Sequence, residues 1–302
     1  MGNRKILLGH LALLGVQMLY AGNYSIAKNV MPDYIEPLGI VFLRVSFGMV
    51  MFWLFQLLFI KKSEKTVIQK ADFPRLIACA LFGIAINQMT FFIGLNWTSP
   101  INASIIMLTT PIIVFIGAVL FLKERFINLN ILGILIGCLG ASILIGYGNQ
   151  INFNPQGLKG DLLILTNATF FSIYLLISQS LFKKYNAFVV LKWVFTFGFL
   201  LCLPFTYPVF AKANLAAIPF SIWLDVAYIL VGATFLTYLF NAFALVNLPA
   251  KTVGAYIYLQ PILATGIALL LGKDELTIIK IITGSLIFLG VFLASKKHKG
   301  EI

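Results

Sequence analysis

Charge is what this chain has least of. Only 11% of its 302 residues are Asp, Glu, Lys or Arg, 60% are hydrophobic, and the mean hydropathy is +0.97. A soluble domain is about a quarter charged because its surface must be wet. Charges this few cannot coat a water-facing surface, which argues against a soluble enzyme or a disordered chain and makes lipid the solvent for much of the protein. Acids are the scarcest, 10 against 22 Lys and Arg, and none lies at the centre of an apolar run: Glu36, Asp161 and Asp225 fall near run ends. Cys79, Cys138 and Cys202 sit in apolar stretches without metal or redox spacing and read as packing residues. There is no nucleophile elbow, no zinc-type His/Cys cluster and no Walker loop, so neither catalysis nor ATP-driven transport finds support, and no cofactor or metal is expected.

What is present is apolar length. A membrane helix needs roughly 20 mostly apolar residues, and ten such runs are expected. The first half holds Ile6–Ala27, Pro37–Ile60, Phe73–Leu95, Asn102–Leu122 and Leu129–Tyr147. The second holds Asp161–Phe182, Ala187–Phe210, Ile222–Leu245, Thr252–Leu271 and Ile278–Ala294. Short connections carry the turn formers, and Gly146-Tyr147-Gly148 reads as a helix stop. Arg4-Lys5 ahead of the first run could mark a signal peptide, but nine more runs follow, and an uncleaved first span is expected.

Basic residues set the orientation. With the N-terminus inside, inner segments hold fifteen Lys and Arg (sixteen with Lys192) and outer segments hold five. Both termini are therefore expected inside the cytoplasmic membrane. The same bias accounts for the net charge of +12 without nucleic acid.

The chain also repeats itself. A shift of 150 residues brings Pro111-Ile112-Ile113-Val114 onto Pro261-Ile262-Leu263-Ala264 and Lys123-Glu124 onto Lys273-Asp274. The expected domains are residues 1–150 and 151–302, five spans each. An odd number of spans makes the second half enter the membrane from the opposite side, so the fold class is an all-α membrane protein of ten transmembrane helices in two inverted five-helix repeats. Such repeats place a solute site near the midplane between the halves.

Three features resemble the drug/metabolite transporter superfamily, in its EamA branch: Arg in Phe42-Leu43-Arg44, the Thr98-Ser99-Pro100-Ile101-Asn102-Ala103 turn leading through Pro111 to Leu122-Lys123-Glu124, and the segment from Pro249 through Pro261 to Gly272-Lys273-Asp274-Glu275. The likeness runs from about Gly9 to Ser295. It implies an integral membrane carrier, often an exporter of amino acids or other metabolites, with aromatic amino-acid exporters the nearest picture. Pro249-Ala250-Lys251 departs from the small polar residues of many relatives.

Polar residues inside spans face the bundle interior or one another. The substrate-binding candidates are Tyr20, Asn23 and Tyr24 of the first span, Arg44 of the second, Asn87 and Gln88 of the third, Tyr174 of the sixth, Tyr238 and Asn241 of the eighth, and Tyr256, Tyr258 and Gln260 of the ninth. Arg44 reads either as an anchor for a substrate carboxylate or as a tie to backbone carbonyls or Glu36. The amides read either as solute contacts or as interhelical glue. Pro111 and Pro261 are hinge candidates, each freeing a carbonyl one turn earlier. With no acid at the centre of a span and with His10 near a span end, facilitated diffusion or exchange is favoured, or coupling through an interfacial carboxylate. The expected partners are a small-molecule substrate and the bilayer, with pairing into a homodimer left open. Carriers of nucleotide sugars or drug-like solutes, and a non-transporting scaffold, are the alternatives; two or more mid-span cations would mark a phosphate carrier, and a sizeable soluble segment a scaffold.

Overall fold

A computed structural model describes residues 2–59, 67–122, 128–150, 155–248 and 250–294. The Lys123-Glu124 exit, Arg125, Pro249 and the lysines at 61, 62, 65, 296, 297 and 299 lie outside the described residues. The described elements are helices: α1 (Gly2–Val30), α2 (Pro37–Phe59), α3 (Phe73–Ala80), α4 (Ile86–Trp97), α5 (Pro100–Ile106), α6 (Thr109–Leu122), α7 (Asn128–Gln150), α8 (Pro155–Lys184), α9 (Ala187–Phe210), α10 (Phe220–Ala227), α11 (Thr237–Asn247), α12 (Ala250–Ala255), α13 (Leu259–Leu270) and α14 (Ile278–Ala294). Eight helical stretches are long and apolar enough to cross a membrane, and Ile131–Gly140 and Ile278–Gly290 are shorter apolar helices. This is a multi-pass, all-helical membrane protein. Its outward faces are apolar, with Leu270 88% and Leu57 71% exposed, as suits lipid rather than water.

Several expected boundaries move. Helix α7 runs past Gly146-Tyr147-Gly148 to Gln150, so those glycines do not stop it. Pro204 and Pro208 lie within α9, which continues to Phe210. The third span is α3 and α4 joined by a wide π-helical segment, Leu81–Ala85; the eighth is α10 and α11 joined by another, Tyr228–Leu236. Such bulges arise where a helix absorbs an extra residue, often beside a functional site. Pro111 and Pro261 each stand third in a helix, α6 and α13, directly after a break: Met107 and Leu108 precede α6, and a 3-10 turn, Tyr256–Tyr258, precedes α13. A proline there sacrifices no helical bond, because first-turn N–H groups have no intrahelical partner.

The packing follows the repeat. Helix α2 packs on α9 and α7 on α14, each a pair that the 150-residue shift relates; α4 packs on α8 as α1 packs on α11, and α6 on α8 as α1 on α13. Helices α2 and α9 run antiparallel: Phe42 meets Phe210 and Tyr207, Phe52 meets Phe195, and Phe55 meets Phe188. The α7–α14 pair is antiparallel too, with Gly137 against Gly290 and Gly140 against Ile287.

Candidate functional site

Six helical stretches send polar side chains toward one point at mid-bundle. In α1, Gln17, Tyr20 and Tyr24 recur at three- and four-residue spacing and so share a face. Beside the π-helical segments, Asn87, Gln88 and Tyr238 enter from α4 and α11. Gln260 enters from α13, one residue ahead of Pro261, and Asn167 from α8. Together with Asn23, Arg44, Phe91, Met107 and Phe171 these residues, Gln17 excepted, line a cavity of about 50 Å³. That holds a few waters at most, whereas a bound metabolite needs roughly 300 Å³ or more. This is a narrow space.

Hydrogen bonds among the lining residues explain how amides survive there. Gln88 donates from Nε2 to the Tyr238 hydroxyl at 2.8 Å, and Tyr238 donates onward to the Gly83 carbonyl at 2.8 Å. Gln88 and Tyr238 are 150 residues apart. Residues equivalent under the repeat meet each other only near the axis that relates the halves, so this bond marks the axis. Asn87 and Asn167 each donate to the other's backbone carbonyl, at 3.3 and 2.8 Å. Tyr24 donates to Gln260 Oε1 at 3.0 Å, and Gln260 Nε2 donates to Gln17 Oε1 at 2.7 Å.

Arg44 is only 3% exposed. Its Nη2 donates to the Ala233 carbonyl at 2.8 Å, its Nη1 to Asn23 Oδ1 at 3.4 Å, and its guanidinium lies 4.9 Å from the Phe92 ring centre. The tie to a backbone carbonyl is therefore present, while Glu36 is solvent-exposed and is not its partner. Gly83 and Ala233, whose carbonyls take the Tyr238 and Arg44 donors, are themselves equivalent at the 150-residue shift and lie in the two π-helical segments. The wide turns thus offer carbonyls to side chains at matched positions.

Eight of the twelve candidates line the cavity: Tyr20, Asn23, Tyr24, Arg44, Asn87, Gln88, Tyr238 and Gln260. Asn241 is buried and, with Thr237, lies within reach of the Tyr20 hydroxyl. Tyr174 is buried against Gly83 and the Tyr238 ring, and does not line the cavity. Tyr256 sits apart, bonded to His10 Nδ1 at 2.8 Å, and Tyr258 packs on Phe288. Gln17 and Asn167 are the polar residues of the site outside the twelve candidates; for Gln17 the spacing from Tyr20 and Tyr24 was the available signal.

At the end of the bundle holding the α1–α2 connection, polar ties join the helices. The Thr98 hydroxyl bonds the carboxylate of Asp161, which is wholly buried. Lys28 Nζ donates to the Asn96 carbonyl at 3.0 Å, and Asn29 Nδ2 to Asp225 Oδ2 at 3.1 Å. Asp274 accepts from the Ile101 N–H at 3.0 Å and pairs with Lys280 at 2.6 Å. At the opposite end Lys184 pairs with Asp72 at 2.6 Å, and Tyr185 donates to the same carboxylate at 2.5 Å.

The profile of the EamA-like transporter family matches residues 7–146 and again residues 158–296. The chain belongs to the EamA-like transporter family. It is thereby a member of the drug/metabolite transporter superfamily. The uncharacterized transporter YyaM of Bacillus subtilis is 23% identical over 95% of this chain and 93% of its own length. An uncharacterized transporter of Archaeoglobus fulgidus is 21% identical over 96% of this chain and 98% of its own. The protein WALLS ARE THIN 1 of Arabidopsis thaliana is 29% identical over 53% of this chain and 42% of its own. A crystal structure 19% identical in sequence superposes with a TM-score of 0.66 over 98% of both chains, a likeness of fold. The Bacillus and Archaeoglobus relatives are named as transporters.

Proposed function

We propose that this chain is a secondary transporter that exports small metabolites, amino acids among them, across the cytoplasmic membrane by alternating access. Ten spans in two oppositely threaded five-helix halves, with both termini cytoplasmic, form the working unit. The observation that carries this reading is the polar cavity at the Gln88–Tyr238 contact, where equivalent residues of the two halves meet. Two near-equivalent halves around one site can exchange conformations, opening the site to one face and then to the other. The antiparallel packing of α2 on α9 supports the opposed threading, because equivalent helices of inverted halves must run in opposite directions. In the conformation described, the end with the α1–α2 connection, the outer end in this reading, is held shut by the Asp161, Asp225 and Asp274 ties.

The test is reconstitution. Purified protein in liposomes, loaded with a panel of labelled amino acids and other small metabolites, is expected to move at least one of them faster than protein-free vesicles do. A panel in which nothing moves faster overturns the transport reading.

A further inference from the structure

Arg44 is a buried cation that nothing in the cavity neutralises. Its two acceptors, the Ala233 carbonyl and Asn23 Oδ1, are uncharged, and its Nε–H has no hydrogen-bond partner. Among the described lining residues there is no Asp or Glu; the rest are Tyr, Asn, Gln, Phe and Met. Buried charges are ordinarily paired, because an uncompensated ion in a low-dielectric interior loses its hydration without return. The missing counter-charge has to come from what enters.

Resting on the transport reading above but narrowing its solutes away from zwitterionic amino acids, we propose that the solute is a monocarboxylate with an uncharged, aromatic or apolar body, and that Arg44 receives its carboxylate. A carboxylate suits the guanidinium because its two oxygens match parallel N–H donors, and one such anion brings the loaded cavity to neutrality. The ammonium of an amino acid would meet no carboxylate there, only neutral oxygens, of which those of Asn23 and Gln260 already accept bonds from Arg44 and Tyr24. Phe91 and Phe171 offer ring surfaces for the body of the solute. Carrying a second charge past these neutral walls would cost what Arg44 now bears alone.

Three solutes built on one aromatic body separate the charges. Held at pH 6, well below the α-amino range of roughly 7.7–8.0, N-acetylphenylalanine is a monoanion, phenylalanine a zwitterion and phenylalaninamide a cation. In proteoliposomes of the wild-type chain, labelled N-acetylphenylalanine is expected to move fastest, with phenylalaninamide roughly 30-fold or more slower, the ratio that losing one partner of a buried charge pair commonly produces. Arg44→Gln is expected to abolish the preference and Arg44→Lys to restore part of it. Equal rates for the anion and either other solute in the wild-type chain overturn the proposal even if Arg44→Gln fails to fold, and leave the transport reading standing. Movement of none of these solutes, nor of any in the wider metabolite panel, overturns the transport reading and this inference with it.

Discussion

Among individual residues, the amides and hydroxyls of the cavity are kept in lipid-surrounded helices by pairing with one another. Gln88 supplies Tyr238 with a donor, and Tyr238 passes its own proton to the Gly83 carbonyl. Gln88→Ala removes one neutral bond, a loss of about 1 kcal/mol, so the chain should stay folded while flux is lost. Asn241→Ala is expected to behave likewise. Wild-type flux in both variants, measured in liposomes, would remove these residues from the site. Thr98 serves a different end. Its hydroxyl bonds the buried Asp161 carboxylate, so Thr98→Val withdraws a donor from a group that cannot reach water. The expected loss is about 1–3 kcal/mol, more if the carboxylate stays ionised, read as a lowered thermal unfolding midpoint of the detergent-purified protein. An unchanged midpoint would show that Asp161 does not depend on Thr98.

Among the elements, helix contacts are set by glycine as much as by large side chains. A Cβ placed on Gly160 would stand 2.9 Å from the Gly94 carbonyl oxygen, the Thr98 nitrogen and the Trp97 carbonyl carbon. Backbone atoms cannot rotate aside, so α8 would have to move off α4. Gly160→Ala is therefore expected to destabilise by about 1–3 kcal/mol, the usual penalty of overpacking. Gly254→Ala provides the contrast: nothing lies within 4 Å of its added methyl, and the exchange raises helix propensity by up to about 1 kcal/mol. Comparing the two unfolding midpoints tests the packing, and equal shifts would refute it. The broken helices offer a second test. Pro261 prevents α13 from extending backward through the Tyr256–Tyr258 turn, because its ring clashes with the carbonyl four residues earlier. Pro261→Ala is expected to slow flux with little change in stability, while unaltered flux would deny that break a hinge role.

For the whole molecule, the consequence of opposed halves is a statement about sides. Single cysteines placed at Lys123 and Lys273, equivalent under the repeat, should react with a membrane-impermeant reagent from opposite faces of the bilayer, Lys123 from the cytoplasmic one. Labelling of both from one face would end the alternating-access reading. The same geometry explains why the central space is small here. Polar ties draw the helices together at the α1–α2 end, and the amides and hydroxyls of the cavity bond one another.

Amino-acid order by itself determined the class of the protein. An apolar chain too poor in charge to be wetted must bury its backbone polar groups in helices within lipid, and near-periodic Pro, Gly and acidic positions expose the duplication. It also picked out most of the cavity, since a polar residue in the middle of an apolar run has few places to go. The fold alone decided how those residues pair. Nothing in the local sequence says that Gln88 meets Tyr238, that Arg44 turns to the Ala233 carbonyl rather than to Glu36, or that Tyr256 binds His10 away from the centre. These partners are brought together by helix packing across 150 or more residues of chain. The π-helical segments escaped detection for a related reason: an extra residue in a helix leaves the apolar pattern unbroken, and shows only when the carbonyls it loosens find side-chain donors from neighbouring helices.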